Sequence, residues 1–387
     1  MRIAQATLTP LRLDLLQPLK TARGTHSARE GFLVRLVDEE GRVGLGEAMP
    51  LPEFGTESLA DCGTTLRAWL SALEGQFLGD SVRAIEDTLS PFPPEVARGE
   101  GVRIRSKQPT PEGPMPAAEH ALELALLDLL AQRQGVPLCW LLAEEARPEV
   151  VVNALLGAEG PEALAEEARA AVAEGYGTLK LKVAGRPLEE DEQRVKAVRE
   201  AVGPDVKLRL DANGGWSEPD AKRALDKLGW YGLELVEQPT PPEDLAALWR
   251  VQRRAPCIVA ADESLGSPEA LRALLAVDPL MGGGPAVGAV VLKPMVLGGL
   301  LPCLVVAMRA ARLGMQSYVT SSLDGVVARA GAAHLAAALP SGALASGLAV
   351  GRLFAHEPPA HPYRPVEGHI RLPQASGLGL DLKLLGG

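Results

Sequence analysis

The sequence predicts an α/β protein whose main part is a (β/α)8-type barrel, with an α+β capping domain built from the N-terminal region and the C-terminal tail. From about residue 150 onward, short apolar strands recur at intervals of roughly 25–31 residues, and a helical stretch follows each of them. This sustained alternation favours a parallel sheet covered by helices, and about eight repeats over roughly 200 residues suit a closed barrel. The first 50 residues instead alternate like antiparallel strands.

The N-terminal region predicts a small α+β unit. Residues 31–37 form a predicted strand, residues 38–41 a turn and residues 42–48 the returning strand. Residues 57–90 have leucines at helical spacing, which predicts a helical segment with one buried face.

An irregular connection and a further helix follow this unit. Prolines and glycines crowd residues 90–116, which predicts a long connection without regular structure. Residues 117–134 carry an apolar helical face, and the run Gly135-Val136-Pro137 should end that helix. We therefore expect two domains, a capping domain over residues 1–125, completed by residues 355–387, and a barrel over residues 126–354.

The predicted barrel strands share a short apolar run that ends in polar residues. They lie near residues 150–153, 178–183, 207–211, 233–237, 258–262, 289–293 and 316–320, with a weaker eighth near 343–349. A doubly wound sheet is the rival architecture, but it would need a glycine-rich phosphate turn after its first strand. The cluster Gly282-Gly283-Gly284 precedes a strand instead, so the barrel is favoured.

Composition and charge limit the classes of partner. The chain has 387 residues and a formal net charge of −10, which argues against nucleic acid or an anionic membrane as the main partner. Its four cysteines are far apart and show no metal-binding or disulfide spacing, and no stretch has the length and apolarity of a membrane span. We expect a cytoplasmic protein that binds a small molecule; the sequence leaves its oligomeric state open.

Three acidic residues end three consecutive predicted strands. Asp211 ends the third strand, Glu237 the fourth and Asp262 the fifth. Neighbouring strands lie about 4.8 Å apart, so these carboxylates should converge at the C-terminal end of the barrel and repel one another unless a cation lies between them. Oxygen ligands without histidine favour Mg²⁺ over zinc.

Lysines flank this predicted metal site. Lys180 and Lys182 are two residues apart in the second strand, so both should point into the barrel. Lys293 ends the sixth strand, which lies opposite the second in an eight-stranded barrel, so Lys182 and Lys293 should face a substrate from opposite sides. Nearby positive charges would lower the lysine pKa from about 10.4, as a general base requires. A metal beside such bases suits removal of a proton next to a carboxylate.

Two further polar residues share the inward face of the third strand with Asp211. Asn213 follows at the tip, while Arg209 lies one step deeper. We expect Arg209 either to neutralise part of the acidic cluster or to reach the substrate.

These residues together resemble the enolase superfamily, in the subgroup of muconate-lactonising enzymes. The resemblance covers nearly the whole chain, and the motifs that carry it are Lys180-Leu181-Lys182, Asp211-Ala212-Asn213, Glu237-Gln238-Pro239, Asp262-Glu263-Ser264 and Lys293-Pro294. It implies Asp211, Glu237 and Asp262 as ligands of a divalent metal, Mg²⁺. It also implies Lys182 and Lys293 as acid/base or electrostatic residues, with Lys180 assisting them. Asn213, Arg209 and Glu263 should support these groups.

Within the subgroup, the chain is most similar to the o-succinylbenzoate synthase family of menaquinone biosynthesis. The residues that suggest this are 19–23 and 46–54, which correspond to mobile cap loops in that family, and Ser321-Ser322, which would bind substrate. The implied reaction is a dehydration in which Lys182 removes the proton α to the ring carboxylate and then protonates the departing hydroxyl. Lys293 would stabilise the intermediate electrostatically.

The alternative within the subgroup is an N-acylamino acid racemase or a dipeptide epimerase that uses the same two lysines. The serine run continues with Asp324-Gly325 where the synthase family usually has Glu-Ser, which weakens the synthase interpretation. Residues 347–352 contain no Asp-x-Asp, the pattern that would hold a peptide amine, which weighs against a dipeptide epimerase.

Two histidine features are given structural interpretations. Residues 356–361 superficially resemble a zinc-protease motif, but the spacing is wrong by one and two prolines oppose a helix. His334 lies among alanines on a predicted helix and should be a structural residue.

Ser321 and Ser322 have no nearby base in sequence, so substrate hydrogen bonding is favoured over a nucleophilic role.

Overall fold

The N-terminal part of the protein folds around an antiparallel sheet. The computed structural model describes residues 1–21, 24–89, 111, 113–276, 285–340, 343–358 and 361–381. Strands β1 (Ile3–Thr21), β2 (Gly24–Asp38) and β3 (Val43–Ala48) pair in the order β1-β2-β3. The register Phe32↔Ala48 to Val37↔Val43 confirms the predicted hairpin.

Two helices lie where the sequence predicted one helical segment over residues 57–90. They are α1 (Leu59–Leu73), which Ser58 caps, and α2 (Val82–Leu89). The chain leaves α1 at Gly75, whose φ of +83° is unfavourable for other residues, and the backbone N–H of Gly75 donates to the carbonyl of Ile3. The predicted irregular connection lies mostly outside the described residues, at 90–110 and 112.

The helix α3 (Pro116–Gln134) joins the sheet of the cap to the rest of the molecule. It agrees with the predicted helix to within one residue, and Gly135 ends it with a φ of +70°. A Cβ on Gly46 of β3 would lie 1.7 Å from the carbonyl oxygen of Ala121, so glycine permits this close approach. The domain division at residue 125 falls inside α3 and stays a prediction.

Within the described residues, seven parallel strands form one curled sheet, in chain order from β5 to β11. They are β5 (Ala154–Leu156), β6 (Thr178–Lys182), β7 (Lys207–Asp211), β8 (Leu233–Glu237), β9 (Ile258–Ala261), β10 (Ala289–Leu292) and β11 (Gln316–Val319). The helices that follow α3 are α4 (Leu138–Leu142), α5 (Pro161–Ala173), α6 (Leu188–Val202), α7 (Glu218–Leu228), α8 (Leu245–Gln252), α9 (Pro268–Leu274), α10 (Pro294–Leu297), α11 (Leu300–Arg312) and α12 (Val326–Ala338).

A short eighth segment connects the two edges of this sheet. Ser346 forms a parallel bridge with Val152, and Gly347 forms one with Thr320. The amide of Asn153 donates to the carbonyl of Ser346 at 3.0 Å, and the amide of Gly347 donates to that of Val319 at 2.8 Å. The predicted weak eighth strand is therefore reduced to two isolated β-bridges. The predicted barrel with its antiparallel cap is confirmed.

The position predicted for the first barrel strand, residues 150–153, is wrong in part. Strand β4 (Glu149–Val151) instead pairs antiparallel with β12 (His369–Arg371), and the barrel strand β5 begins at Ala154. Residues 150–156 are apolar apart from Asn153, so periodicity does not show where one pairing ends and the next begins. The pairing is decided by the C-terminal tail, which is distant in sequence.

Two further predictions from the sequence were the absence of disulfide bonds and of a membrane-spanning segment. The four cysteines are unpaired, and Cys257 alone among them is partly exposed. No helix in the described ranges is both long and apolar enough to cross a membrane.

Candidate active site

The three predicted acids lie side by side at the C-terminal ends of their strands. Asp211 ends β7, Glu237 ends β8 and Asp262 follows β9 directly. Asp211 is the register partner of Glu237 across the two strands. All three side chains are buried, with exposures of 3%, 1% and 4%. Buried carboxylates in such proximity require positive charge beside them.

Two lysine ammonium groups supply that charge. The Nζ of Lys180 lies 2.7 Å from Oε2 of Glu237 and 2.9 Å from Oδ2 of Asp211. The Nζ of Lys293 lies 2.5 Å from Oδ2 of Asp262. Each predicted acid is therefore paired with a lysine from a strand of the same sheet.

Lys182 has a different partner, an amide rather than an acid. Its Nζ donates to Oδ1 of Asn213 at 3.2 Å, and Nδ2 of Asn213 donates to Oε1 of Glu263 at 3.0 Å. Asn213 has a φ of +43°, and its backbone N–H donates to Oδ1 of Asp211 at 3.1 Å. Asn213 thus links Lys182 to the acid cluster without an ion pair.

Gln238 fixes the position of Asp262 through the backbone. Its Oε1 accepts from the amide of Asp262 at 2.9 Å and from that of Ser264 at 3.2 Å, while its Nε2 donates to Oγ of Ser264 at 3.0 Å. Gln238 lies within a motif that the sequence singled out, although this tethering role was not predicted.

Tyr318 is a further residue beside the acids that the sequence reasoning missed. Its hydroxyl donates to Oε2 of Glu237 at 2.7 Å. The inward alternation of β11, which places Gln316, Tyr318 and Thr320 on one face, is the signal that indicates it.

Arg209 lies beneath Tyr318 rather than against the three acids. Its guanidinium carbon is 5.0 Å from the centre of the Tyr318 ring. Its Nε donates to Glu234 at 2.5 Å, and Nη1 donates to the carbonyl of Ala345 at 2.6 Å. Arg209 therefore reaches the cluster through Tyr318. Its contacts are with Glu234, Ala345 and Tyr318 rather than with the three acids, and it does not border the cleft, so neither predicted role, direct neutralisation or substrate contact, matches its position.

Neighbouring acids control the pKa values of Lys180 and Lys293. Burial lowers the pKa of Lys180, but Asp211 and Glu237 outweigh burial and raise it overall. The pKa of Lys293 is likewise raised, because Asp262 and Glu263 outweigh burial. Burial, together with Asp211, raises the pKa of Glu237 to about 7. The pKa values of Lys180 and Lys293 are thus raised in the metal-free protein, since their nearest neighbours are anions, and the lowering predicted beside a bound cation stays a prediction.

Nine of the eleven predicted site residues border a single cleft with about 770 Å³ of empty space, including its open mouth. They are Lys180, Lys182, Asp211, Asn213, Glu237, Asp262, Lys293, Ser321 and Ser322. The hydroxyl of Ser321 donates to Oδ2 of Asp324 at 3.1 Å. Arg209 and Glu263 do not border this cleft. Glu263 accepts from Nδ2 of Asn213, and Arg209 lies against the ring of Tyr318.

The acids fit a divalent cation by ligand type, and they lie at the ends of neighbouring strands. They offer only oxygen ligands, which Mg²⁺ prefers, and the ammonium group of Lys180 already lies between Asp211 and Glu237 as a bound positive charge. Within the described ranges, no three His, Cys, Asp or Glu side chains converge closely enough to hold a metal as placed. The acids are turned toward the lysines, so metal binding requires these side chains to rearrange.

The cap contributes one wall of the cleft. Residues 46–48, predicted as part of a mobile cap loop, belong instead to β3, and Glu47 accepts hydrogen bonds from the backbone of Gly325, Val327 and Ala328. The loop proper follows this strand, and its Phe54 borders the cleft with the ring centre 5.2 Å from Nζ of Lys293. The other predicted loop, residues 19–23, lies outside the residues whose side chains are described.

The histidines have structural contacts, as predicted. His334 is buried, its Nδ1 accepts from the amide of Cys139 at 3.0 Å, and its Nε2 lies 2.8 Å from the hydroxyl of Tyr363. His361 pairs with Glu357 at 2.6 Å. Neither histidine borders the cleft.

Known proteins share both parts of this architecture. Residues 163–384 match the family described as "Enolase C-terminal domain-like", and residues 11–86 match "MenC, N-terminal domain". The o-succinylbenzoate synthase of Thermobifida fusca (strain YX) is 39% identical over 225 residues, which cover 57% of this chain and 66% of that protein.

Solved structures with other activities are similar over the whole chain. The dipeptide epimerase from Enterococcus faecalis V583, complexed with Mg and the dipeptide L-Leu-L-Tyr, has 30% identity and a TM-score of 0.81, covering 98% of this chain and 99% of that chain. The muconate lactonizing enzyme from Pseudomonas fluorescens, complexed with muconolactone, has 26% identity and a TM-score of 0.83, covering 100% and 98%. Together with the family match over residues 163–384, these similarities show that the chain belongs to the enolase superfamily, in its muconate-lactonising-enzyme subgroup.

Proposed function

We propose that this enzyme is a Mg²⁺-dependent lyase of menaquinone biosynthesis, which dehydrates 2-succinyl-6-hydroxy-2,4-cyclohexadiene-1-carboxylate to o-succinylbenzoate. The observation that carries the proposal is the cleft that three buried acids share with Lys182 and Lys293. The match of residues 11–86 to the MenC N-terminal domain supports the synthase over other members of the subgroup. The unpaired cysteines support a cytoplasmic location.

The proposed chemistry assigns one proton path to Lys182. Its amine removes the proton from the carbon that carries the ring carboxylate, and the resulting ammonium returns a proton to the departing hydroxyl, which leaves as water while the ring becomes aromatic. Nζ of Lys182 donates to Oδ1 of Asn213 at 3.2 Å and borders the cleft, which places the amine where a bound substrate can reach it. When bound at Asp211, Glu237 and Asp262, Mg²⁺ would supply positive charge for the substrate carboxylate.

Lys293 contributes charge rather than a proton in this scheme. In the metal-free protein its Nζ lies 2.5 Å from Oδ2 of Asp262, and the neighbouring acids raise its pKa. A fixed ammonium across the cleft from Lys182 would stabilise the negative charge that develops when the proton is removed.

The second candidate is racemisation of an N-acylamino acid or epimerisation of a dipeptide. The similarity to a dipeptide epimerase over 98% of the chain favours it. In that reaction Lys182 and Lys293 would each serve as the base on one face of the substrate.

Product formation tests the leading proposal directly. The purified protein is incubated with the cyclohexadiene substrate and Mg²⁺, and the aromatic product is followed by ultraviolet absorbance. We expect product to form and its rate to rise with enzyme concentration. A protein that binds Mg²⁺ but yields no o-succinylbenzoate would refute the synthase assignment.

Isotope exchange separates the two candidates. In D₂O, a racemase would exchange the α-proton of both enantiomers of an N-acylamino acid, and Lys293→Arg would abolish exchange of one enantiomer only. For a dedicated synthase we expect no exchange of either enantiomer, measured by proton NMR. Exchange without any dehydration activity would establish the second candidate in place of the first.

A further inference from the structure

We propose that Asp191 and Arg194 of α6 are positioning residues, which hold the backbone at Lys182 and thereby aim its amine into the cleft. The inference rests on the proposed function, because it deepens the role that Lys182 has there. Lys182 borders the cleft, whereas neither residue of the pair does, so both act through Lys182 rather than on the substrate.

Hydrogen bonds from this pair flank the end of β6. Nη1 of Arg194 donates to the carbonyl of Lys182 at 2.8 Å, and the backbone N–H of Ala184 donates to Oδ2 of Asp191, also at 2.8 Å. Nη1 of Arg194 also donates to Oδ1 of Asp191 at 3.1 Å, which joins the two contacts into one unit. The carbonyl of the proposed base and the amide two residues later are therefore tied to the same helix.

The pair contacts the backbone at the level where the strand on one side of β6 has ended. Leu181 is the last residue of β6 with a register partner in β5, and that partner is Leu156. On the other side, Lys182 still has a register partner in β7, which is Asp211. β5 thus offers Lys182 no register partner, and side chains of α6 supply hydrogen bonds at this level.

The backbone at Ala184 is strained. Its φ of +69° lies in the left-handed region, which residues with a Cβ rarely adopt. Space for its methyl group depends on a glycine of the neighbouring loop, since a Cβ on Gly215 would lie 2.9 Å from Cβ of Ala184. Strained backbone persists only where surrounding contacts hold it, and the hydrogen bond to Asp191 is such a contact.

Burial disfavours both charges of the pair. Asp191 is 0% exposed and Arg194 is 4% exposed, and burial raises the pKa of Asp191 and lowers that of Arg194. Nε of Arg194 is also buried, and it has no hydrogen-bond partner among the described residues. Because a buried ion pair often stabilises a protein no more than apolar side chains would, stability alone does not account for this one. Its two backbone contacts, at Lys182 and Ala184, indicate positioning instead.

Kinetics measured per binding site test this role. The rate of o-succinylbenzoate formation is measured with Mg²⁺, and calorimetry with o-succinylbenzoate gives the number of competent sites and the dissociation constant. For Arg194→Ala we expect kcat per competent site to fall about 10- to 100-fold, because a small displacement of a reacting group slows the reaction by such factors. The dissociation constant should stay within about threefold of the wild-type value, since no contact with the ligand is removed.

A double variant and a control separate positioning from loss of the fold. Arg194→Ala alone leaves Asp191 as an unpaired buried charge, which is destabilising. Asp191→Ala/Arg194→Ala removes both charges and should show the same loss of kcat per site. Arg199→Ala is the matched control, since this arginine of α6 also donates to backbone carbonyls, but to those of Gly203 and Val206 beyond the other end of the helix. We expect the control to lower the melting temperature and to leave kcat per site unchanged.

The synthase activity and the positioning role can fail separately. If the wild type forms no o-succinylbenzoate, the synthase assignment fails, and the measured rate becomes α-proton exchange of both enantiomers of N-succinylphenylalanine in D₂O, with that compound in the calorimeter. The double variant should then slow exchange of the enantiomer whose exchange Lys182→Ala abolishes, and should leave the other enantiomer unaffected.

Several results would overturn the positioning role. A kcat per site within about threefold of the wild type in the double variant would do so, as would an equal loss in Arg199→Ala or ligand binding weakened as much as kcat. Equal slowing of both enantiomers, or a wild type that catalyses neither reaction, would also refute it.

Discussion

The two lysines of β6 lie two residues apart but have different electrostatic surroundings. Lys180 is held between Asp211 and Glu237, and these acids raise its pKa despite its burial. Lys182 instead contacts the neutral amide of Asn213. This difference supports a charge-neutralising role for Lys180 and the proposed proton-transfer role for Lys182.

The variant Lys182→Ala tests the role of that amine. Because general acid–base groups contribute roughly 10²–10⁴-fold to rate, we expect kcat to fall by about that factor while the fold is retained. The measurement is the initial rate of aromatic product formation, with circular dichroism to check the fold. Lys196→Ala removes an exposed lysine from α6 and should keep full activity. A Lys182→Ala enzyme with near-normal kcat would remove Lys182 from the mechanism.

At the scale of elements, buried glutamates cap the first turns of three helices. Glu47 accepts from the amides that begin α12, Glu57 from those of Ala117 and Ala118 in α3, and Glu123 from those of Leu300 and Leu301 in α11. A carboxyl oxygen at a helix N-terminus accepts from N–H groups that have no partner within the helix. Each glutamate lies outside the helix that it caps. The cap therefore also fixes how that helix packs against the segment that carries the glutamate.

Glu123 should make stability depend on pH. Burial raises the pKa of Glu123 from 4.5 to about 8, although the amides of Leu300 and Leu301 oppose this. Between these two pH values the native state holds a proton that the unfolded chain has lost, so the free energy of unfolding should fall as pH rises from about 4.5 to 8.

The variant Glu123→Gln isolates this contribution, because it keeps an acceptor oxygen but cannot ionise. Urea unfolding at several pH values should show a flatter dependence for Glu123→Gln than for the wild type. Glu162→Gln changes an exposed acid in α5 and serves as the control, for which we expect an unchanged slope. Identical pH profiles for the wild type and Glu123→Gln would contradict the assigned shift.

At the scale of the whole molecule, the cap and the barrel share a buried boundary beside the cleft. Arg29 of β2 is buried and donates to the carbonyls of Met49, Pro50 and Leu323. Leu323 borders the cleft and has a φ of +63°. The cap therefore holds a wall of the cleft in place.

Mg²⁺ should stabilise the whole molecule through the three acids. A ligand that binds only the native state at 100 times its dissociation constant adds about 2.7 kcal/mol to the free energy of unfolding. We expect Mg²⁺ to raise the melting temperature of the wild type and chelation to reverse this. Asp211→Asn should abolish the response, whereas Asp226→Asn, at an exposed position of α7, should retain it. An equal response in all three proteins would place the metal elsewhere.

The sequence by itself determined the order of elements, the hairpin of the cap, the parallel barrel and the acids and lysines at its strand tips. These depend on local periodicity and on the rule that parallel strands bring their C-terminal ends to one edge. Only the tertiary structure decided that β4 pairs with the distant β12, that Lys180 rather than Lys182 neutralises the acids, and that Tyr318 donates to Glu237. The physical reason is that these features depend on distances between segments that sequence periodicity does not encode. They include strand register, the choice of ion-pair partners and buried atoms without partners, such as those of Asn153 and Thr320.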